Sequence, residues 1–350
     1  MTNTPFFDGH NDTVLRIVQQ GQPLDLLHAD PDAHIDLPRM QGAGMVGGIF
    51  AMFSPSPANN LNFEDFVDDN GHYAIPLPER VEQADALHIT LKMADELLRS
   101  EAAAEGALRI VRSYADLESC VDSASCAVLM HIEGVEAIGE DLTGLESLYA
   151  MGLRSLGPVW SRENVFASGV PFAFPSSGDT GPGLTAAGFD LLEACNHKGI
   201  LVDMSHLNEK GFWDIAQHSK HPLIASHSNA YAVCPHSRNL SDEQLRAVAD
   251  SGGIVGLNYA IRFLNEDGSD TQGRGLEVMV KHVQHMARQM GVEHIGLGSD
   301  FDGADIPEEI GDVCGVGRLL EALSQAGFSD SDVEAIAYKN WFRVMRDTLH

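Results

Sequence analysis

Residues 200–227 read ILVDMSHLNEKGFWDIAQHSKHPLIASH and contain two short apolar runs, each of which ends in a histidine. The segment between the runs is polar and has the pattern of a helix. Nearly continuous apolar runs are typical of parallel strands that are covered on both faces, and a helix is the usual connection between two of them. The stretch therefore predicts a strand, a helix and a second, parallel strand.

The same alternation extends over the chain and gives eight apolar runs, at residues 6–12, 45–53, 127–133, 153–160, 200–206, 223–227, 253–259 and 294–300. Eight strands alternating with helices predict an α/β fold of the (β/α)8 TIM-type barrel. Residues 54–78, after the second strand, are too long and too rich in Pro, Asn and Asp for an ordinary connection. We expect them to be an inserted segment over one face of a single domain that spans residues 1–350.

Capping patterns predict where some helices begin. Ser241 with Gln244 and Ser331 with Glu334 have the spacing of a capping box, so we expect a helix to begin at each serine. A longer helix is expected over residues 78–106. Its apolar stripe, which we expect to pack against the core, consists of Val81, Ala84, Leu87, Leu91, Ala94 and Leu98.

The composition excludes several classes of function. The chain has 22 Lys and Arg against 51 Asp and Glu, and its net charge of -29 repels nucleic acids and anionic lipid surfaces. It has neither an apolar run of about 18 residues nor an export signal at its start, so we expect a cytoplasmic protein without a membrane partner. The five cysteines lack CxxC spacing, which argues against a disulfide framework. The oligomeric state stays open, with a homodimer as the candidate assembly.

The predicted strands carry metal-competent side chains where they end. In the first strand His10 and Asp12 are two residues apart and therefore point to the same side. The C-terminal ends of barrel strands converge on one face, so side chains at other strand ends are expected to join them. Imidazole and carboxylate side chains without thiolate favour Zn²⁺. The three histidines and two of the acids at these strand ends suffice for two ions about 3.5–4 Å apart, if the ions share one carboxylate. The other strand-end residues are Glu133, His206, His227 and Asp300.

Five motifs follow one another along the chain: DGHND at 8–12, IEG at 132–134, SH at 205–206, SHSNAYAVCPHSRN at 226–239 and GSDFDG at 298–303. Together they resemble the membrane dipeptidase (renal dipeptidase) family of zinc metallopeptidases, within the amidohydrolase superfamily. The resemblance implies a hydrolase with two zinc ions per chain that cleaves free dipeptides, often with a C-terminal D-residue, by attack of a metal-bridging hydroxide. It implies that His10 and Asp12 bind one zinc, that His206 and His227 bind the other, and that Glu133 bridges both.

The resemblance also implies roles for two further side chains. It makes Asp300 the catalytic residue that handles the proton of the attacking water and later that of the leaving amine. The alternative is a loop aspartate that caps the next turn. Arg238, eleven residues after His227, resembles the family's anchor for the terminal carboxylate of the substrate, a role that suits a planar guanidinium. The alternative is a solvated surface arginine.

One position departs from the family's pattern. Where eukaryotic members place a histidine at the fourth strand end to support the developing oxyanion, the stretch GLRSLGPVWSREN at 152–164 has Trp160. An indole has one N–H donor and cannot be protonated, so we expect Trp160 to bind substrate by weak donation or by shaping the pocket. Arg162 is close enough in sequence to supply a donor, and the alternative for it is a surface charge.

Two other functions stay open at this point. Another amidohydrolase-type reaction, amide hydrolysis or deamination, could use the same metal pair, and a silent homologue could bind metal without catalysis. A glutamate in the bridging position, instead of a carboxylated lysine, and the spacing of Arg238 favour the dipeptidase. The sequence leaves open the preferred side chains, the choice between L,L and L,D dipeptides, and the native metal.

Overall fold

The computed structural model describes residues 4–20, 25–57 and 63–349. Within these residues the chain forms short parallel strands that alternate with helices, as the apolar runs predict. The strands are β1 (Phe6–Asn11), β2 (Met45–Phe53), β3 (Tyr73–Ala74), β4 (Leu108–Ile110), β5 (Cys126–Glu133), β6 (Leu153–Gly157), β7 (Ala173–Phe174), β8 (Leu201–Val202), β9 (Ile224–Ala225), β10 (Ile254–Leu257) and β11 (Ile295–Leu297).

Eight of these strands form the barrel, in the order β1-β2-β5-β6-β8-β9-β10-β11. β11 pairs with β1 through Asp8 and Leu297, and a parallel bridge between Asp203 and Ile224 joins the end of β8 to β9. Each of the eight predicted runs contains one of these strands, so the (β/α)8 TIM-type fold is confirmed. Their side chains are buried on both faces, which explains why the sequence shows continuous apolar runs instead of alternation.

The helices are α1 (Arg16–Gln20), α2 (Leu37–Ala43), α3 (Gln83–Ala103), α4 (Tyr114–Ser123), α5 (Leu145–Met151), α6 (Ala186–Lys198), α7 (Glu209–His218), α8 (Asp242–Asp250), α9 (Ile261–Leu264), α10 (Gly275–Met290), α11 (Val316–Gln325), α12 (Asp330–Glu334) and α13 (Asn340–Thr348). A π-helical turn, Ala335–Lys339, connects α12 to α13. Among the helices of the described residues, none combines the length and the apolar composition that a bilayer span requires.

The capping predictions have mixed outcomes. The capping box of Ser241 and Gln244 is present at the start of α8, as predicted. The prediction for Ser331 is wrong, because α12 begins two residues earlier with a capping box formed by Ser329 and Asp332. Ser329 and Ser331 each stand three positions before an acidic residue, but only Ser329 lies where the helix begins.

The long helix α3 also differs from its prediction. It begins at Gln83, five residues after Pro78, and its buried face coincides only in part with the predicted stripe, at the fully buried Ala94. Leu91, which belongs to the predicted stripe, is 42% exposed, whereas Met93 and Leu97 are fully buried. Apolar residues occur on more than one side of this helix, so periodicity alone does not identify the side that packs on the barrel.

The inserted segment lies after β2, as predicted, and residues 58–62 of it are outside the described part of the chain. Within it, β3 pairs in antiparallel fashion with β7, which belongs to the loop after β6. Tyr73 faces Phe174 across this small sheet, and both side chains are buried. The insertion is therefore fixed to the loop that carries Trp160.

Candidate active site

Six ionisable side chains meet at the C-terminal ends of the barrel strands, as the sequence predicts. His10 belongs to β1, Glu133 is the last residue of β5, and the others follow β1, β8, β9 and β11 within a few residues. Each is at most 9% exposed. We call them the strand-end cluster, which consists of His10, Asp12, Glu133, His206, His227 and Asp300.

Glu133 lies at the centre of this cluster. Its Oε1 atom is 2.9 Å from Nε2 of His206, 3.4 Å from Nε2 of His227 and 3.5 Å from Nε2 of His10. The Nε2 atoms of His206 and His227 are 3.1 Å apart, and Nε2 of His10 is 3.6 Å from Oδ2 of Asp12. One carboxylate oxygen thus contacts both pairs of candidate ligands.

The donor set fits divalent metal ions. His10, Asp12 and Glu133 form one group of donor atoms within 4.8 Å of one another, and Glu133, His206 and His227 form a second group that shares the glutamate. Nε2 of His10 and Oδ1 of Asp12 are buried without a hydrogen-bond partner among the described residues. Buried polar atoms normally have partners, so these two atoms are free to bind a ligand. Three imidazoles with carboxylates and no thiolate suit Zn²⁺.

His206 and His227 are held in the neutral state that metal binding requires. Burial lowers the pKa of both imidazoles well below the usual value, and the nearby charges of Arg238 and His10 lower it further. Neutral imidazole is the form that coordinates a metal ion. Both side chains therefore stay competent as ligands at neutral and mildly acidic pH.

The pKa values of His10 and Glu133 are both raised by their surroundings. Burial alone would lower the pKa of His10, but Glu133 and Asp12 outweigh it and raise that pKa to about 10. Burial raises the pKa of Glu133 well above the usual value, and the carboxylates of Asp12 and Asp300 add to this effect. A divalent cation would neutralise these acids and displace the protons, so metal binding is expected to release protons.

Asp300 lies beside the cluster and is held from two directions. Its backbone N–H donates to the carbonyl of His10 at 3.0 Å, and Nδ2 of Asn258 donates to its Oδ2 at 3.0 Å. Burial, followed by the charge of Asp12, raises the pKa of Asp300 to about 6. Gly303 leaves room for both acids, since a Cβ atom there would be 2.0 Å from Oδ2 of Asp12 and 2.7 Å from Oδ1 of Asp300.

Arg238 is not a surface residue, because its side chain is only 2% exposed. Its Nη1 donates to the carbonyl of Ser205, and its Nη2 donates to the carbonyl of His227 at 3.3 Å and is 3.2 Å from Nε2 of His206. Its Nε has no hydrogen-bond partner among the described residues. The Cζ atom of the guanidinium is 5.5 Å from the ring centre of Phe263. Arg238 is thus a buried cation next to the cluster, and its Nε–H is an unused donor among the described residues.

Trp160 belongs to the wall of an adjoining space, which we call the apolar cavity. This cavity has a volume of ≈ 390 Å³ and is lined by residues of the insertion after β2 and of the loop after β6. The indole is 4.9 Å from the ring of Phe53, 5.5 Å from that of Phe172 and 5.8 Å from that of His206. These contacts place Trp160 between the cavity and the cluster.

Arg162 fits neither of the roles considered for it. It is fully buried, which excludes a surface charge. Its Nε donates to Glu136 at 2.8 Å, Nη1 donates to Ser56 at 2.8 Å, and Nη2 donates to the carbonyl of Ser54 at 2.9 Å. Nη1 and Nη2 thus hold the insertion, Nε holds the loop after β5, and all three nitrogens are already engaged within the protein.

Sequence reasoning missed a layer of polar residues beneath the cluster. His131 is fully buried with Nδ1 2.8 Å from Oγ of Ser155, and its Nε2 is 3.9 Å from Oδ2 of Asp203. His131 is two residues before Glu133 in the same strand, and this period of two could have identified it. Asp203 and Asn258, also buried, directly follow β8 and β10, so the strand-end criterion could have identified them as well.

The chain is similar to proteins of one family along its whole length. The family model of the membrane dipeptidases (peptidase family M19) matches residues 1–350. The crystal structure of a metallo peptidase from Rhodobacter sphaeroides, liganded with a phosphinate mimic of the dipeptide L-Ala-D-Ala, has 44% sequence identity and a TM-score of 0.94, with 99% of each chain covered. That of dipeptidase AC, a metallo peptidase of family M19, has 43% identity and a TM-score of 0.92, again over 99% of each chain.

A curated relative agrees with these structures. Dipeptidase tcpJ of Claviceps purpurea (strain 20.1) is 30% identical over 348 residues, which are 97% of this chain and 76% of the relative. Matches of this length leave no part of the barrel unaccounted for. The chain therefore belongs to the membrane dipeptidase family, peptidase family M19, and is a metallodipeptidase.

Proposed function

We propose that the chain is a binuclear zinc dipeptidase that hydrolyses the peptide bond of free dipeptides, including those with a C-terminal D-residue. Asp300 is the proton-transfer residue in this proposal, Arg238 binds the substrate's carboxylate, and Trp160 shapes the substrate pocket. A cytoplasmic location and a homodimeric assembly stay hypotheses from the sequence. The two ions are assigned to five ligands, namely His10, Asp12, Glu133, His206 and His227.

One observation carries this proposal. Oε1 of Glu133 contacts Nε2 of all three imidazoles at 2.9–3.5 Å, so a single carboxylate serves both groups of candidate ligands. Three histidines and two acids exceed what one catalytic zinc with an open position requires. A shared carboxylate is the feature that divides such a set between two ions.

The protein's own residues supply positioning and proton transfer. When bound, two divalent ions polarise the scissile carbonyl and activate a water molecule. Asp300 accepts the proton that this water loses on attack and returns it to the leaving amine. Asn258 holds Oδ2 of Asp300 at 3.0 Å, which leaves Oδ1 available for the transfer. The low exposure of the cluster limits competing solvent around the reacting atoms.

Arg238 explains why the substrate would be a dipeptide. Its guanidinium is a buried cation in a chain with a net charge of -29, and its free Nε donor suits a carboxylate. With the scissile carbonyl held at the cluster and the terminal carboxylate held at Arg238, one residue fits between them. The side chain of that residue then has freedom to point either way, which allows a D-residue. The L-Ala-D-Ala mimic in the similar Rhodobacter sphaeroides enzyme supports this substrate class.

Metal analysis combined with dipeptide hydrolysis tests the proposal. After dialysis against zinc, the purified protein should contain close to two zinc ions per chain and should hydrolyse both L-Ala-D-Ala and L-Ala-L-Ala. Glu133→Gln should lose zinc and activity together, because an amide carries no negative charge and its NH₂ group cannot bind a cation. Glu140→Gln, an exposed change in the loop after the same strand, is the matched control and should leave both unchanged. A zinc content near zero in the parent protein would refute the proposal.

A further inference from the structure

The hydroxyl of Ser226 lies behind the strand-end cluster and contacts two candidate ligands at once. Its Oγ is 2.7 Å from Nδ1 of His227 and 3.3 Å from Nδ1 of His10. On its other side, the same Oγ is 2.6 Å from Oδ2 of Asp203. Ser226 is 1% exposed, and the hydroxyl of Ser205, 3.4 Å from Oγ, is a fourth polar neighbour, so protein groups take the place of water around it.

The direction of each hydrogen bond follows from Asp203. Oδ1 of this carboxylate accepts the backbone N–H groups of Ser205 at 3.1 Å and Ser226 at 2.8 Å, and it accepts the hydroxyl of Ser205 at 2.7 Å. A carboxylate surrounded by donors acts as an acceptor, so the single hydrogen of the Ser226 hydroxyl points to Oδ2. The two lone pairs of Oγ are left to accept N–H groups from the imidazoles.

Both imidazoles must then carry their hydrogen on Nδ1. A neutral imidazole with hydrogen on Nδ1 has its lone pair on Nε2. Nε2 is the atom that His10 and His227 each direct at Glu133, at 3.5 and 3.4 Å. The contact with Ser226 thus selects, for two histidines, the form that can bind a metal ion.

The backbone holds Ser226 in this position. Its carbonyl oxygen lies against Gly256 and Gly298 in the two following barrel strands, where an added Cβ atom would be 1.9 Å away in each case. Any side chain at either glycine would push Ser226 out of place. The close approach of three strands therefore fixes the hydroxyl relative to both imidazoles.

We propose that Ser226, oriented by Asp203, is a positioning residue that sets the tautomers of His10 and His227 and so couples the two metal sites through one hydroxyl. This inference rests on the proposed function, which assigns the two histidines to different ions. Groups that hydrogen-bond the second nitrogen of a ligating histidine typically affect metal affinity about 10- to 100-fold. One hydroxyl shared by two ligands should affect both ions.

Asp203→Asn is the sharpest test, because it keeps the shape and reverses the hydrogen bond. The three groups that donate to Oδ1 of Asp203 should keep the amide oxygen of the asparagine in that position. The NH₂ group then takes the place of Oδ2 and faces Ser226. The Ser226 hydroxyl then has to give its hydrogen to an imidazole Nδ1, and that imidazole carries its own hydrogen on Nε2, where the ion binds. Zinc affinity should fall about 10- to 100-fold.

Three serine variants complete the set. Ser226→Ala removes the acceptor and should also weaken zinc binding, and Ser226→Thr keeps a hydroxyl and should restore most of it. Ser205→Ala is the comparison, because the hydroxyl of Ser205 contacts Asp203, the hydroxyl of Ser226 and the backbone N–H of His227, yet no imidazole nitrogen in the site. Its effect on zinc affinity should be the smallest of the three.

Two measurements read out the variants independently of catalysis. Competition with a chromophoric chelator gives the zinc affinity, and ¹⁵N–¹H correlations of histidine-labelled, zinc-loaded protein give the tautomers. The parent spectrum should show a hydrogen on Nδ1 of both His10 and His227. In Asp203→Asn, one of these two Nδ1–H signals should change or disappear. Unchanged affinity and tautomers in Asp203→Asn and Ser226→Ala, with a parent that binds zinc and cleaves dipeptides, would overturn this inference alone. A parent without zinc would overturn the proposed function and this inference with it.

Discussion

The active site has two walls that are built in different ways. The strand-end cluster comes from barrel strands and consists of buried ionisable groups, which form overlapping sets of three with donor atoms within 4.8 Å of one another. The apolar cavity comes from the insertion after β2 and the loop after β6, and aromatic and proline side chains line it. Under the proposed function, this difference in construction assigns the reaction to the strands and the choice of substrate to the loops.

The two walls should also respond differently to substitution. Buried charged groups depend on their specific partners, because an unpaired charge away from water is costly. Ring contacts such as Trp160 with Phe53, at 4.9 Å, are non-directional and depend mainly on volume. We therefore expect changes in the cluster to alter the rate of the reaction and changes in the cavity to alter which dipeptide is preferred.

The largest effect is expected in the cluster, from Asp300→Asn. The amide cannot accept the proton of the attacking water, so kcat should fall about 10²- to 10⁴-fold while the zinc content stays unchanged. The backbone should tolerate the change, since Asp300 has a φ of 62° and asparagine adopts this left-handed region more readily than most residues. Steady-state kinetics together with metal analysis measures both quantities.

Asp302→Asn is the matched control for that experiment. Asp302 lies in the same turn with a φ of 64°, and it accepts hydrogen bonds from the hydroxyl of Thr13 and from the backbone of His34. Asp302 thus ties distant segments together, which is a structural role. A loss of turnover in Asp302→Asn, together with near-parental turnover in Asp300→Asn, would move the proton transfer away from Asp300.

The pH profile follows from the same assignment. Asp300 must be ionised to accept a proton, so the activity of the parent should rise with pH as this carboxyl loses its own proton. Burial and the nearby Asp12 raise its pKa to about 6 in the metal-free site, and bound cations favour the ionised form. The rising limb should therefore lie at or below that pH, and it should be absent from the residual activity of Asp300→Asn.

The sequence allowed prediction of the strand-bound part of this molecule. The eight barrel strands lie in mainly apolar runs, and a residue that ends such a run lies at the C-terminal face of the barrel. This reasoning applies to His10, Glu133, His206 and His227, and the structure brings all of them together. Both the fold and the composition of the cluster thus follow from local patterns.

The features that could not be predicted from the sequence depend on contacts between distant segments. Ser226 and Asp203 each directly follow a strand, but their hydrogen bond joins neighbouring strands, and the sequence does not show which residues form it. Arg162 is buried because residues 106 and 108 positions away accept its hydrogen bonds. The error at Leu91 has the same origin, since which side of a helix is covered depends on its neighbours. The spacing of apolar residues in the sequence does not identify any of these partners.

A smaller effect is expected at Arg238, which lies between the two walls. A substrate with an amidated C-terminus loses a charged hydrogen bond worth about 1.5–3 kcal/mol, so its kcat/KM should be roughly 10- to 150-fold below that of the free acid. In Arg238→Met this discrimination should largely disappear, while the zinc content is kept. Rates for L-Ala-D-Ala and its amide with both proteins measure the effect. Equal rates for acid and amide in the parent, or efficient cleavage of a tripeptide, would contradict the clamp.

The smallest effect is expected in the cavity wall, from Trp160→Ala. The indole contacts Phe53 and Phe172 and its ring is 5.8 Å from that of His206, so its removal enlarges the cavity without removing a member of the cluster. KM for dipeptides with small side chains should rise by about tenfold or less relative to those with bulky side chains, which is the size of effect that lost apolar contacts give.

Trp160→His separates the two roles considered for this position. If the residue only shapes the pocket, an imidazole should change the preferred side chain and leave kcat nearly constant, much as alanine does. If it donates to the developing oxyanion, alanine should lower kcat with KM unchanged, and histidine should restore it, because an imidazole N–H replaces that of the indole. Trp213→Ala, on helix α7, serves as the control for loss of a tryptophan elsewhere. Because the contacts of Trp160 are ring contacts with the cavity wall, we expect the first result, which would keep recognition in the loops and the reaction on the strands.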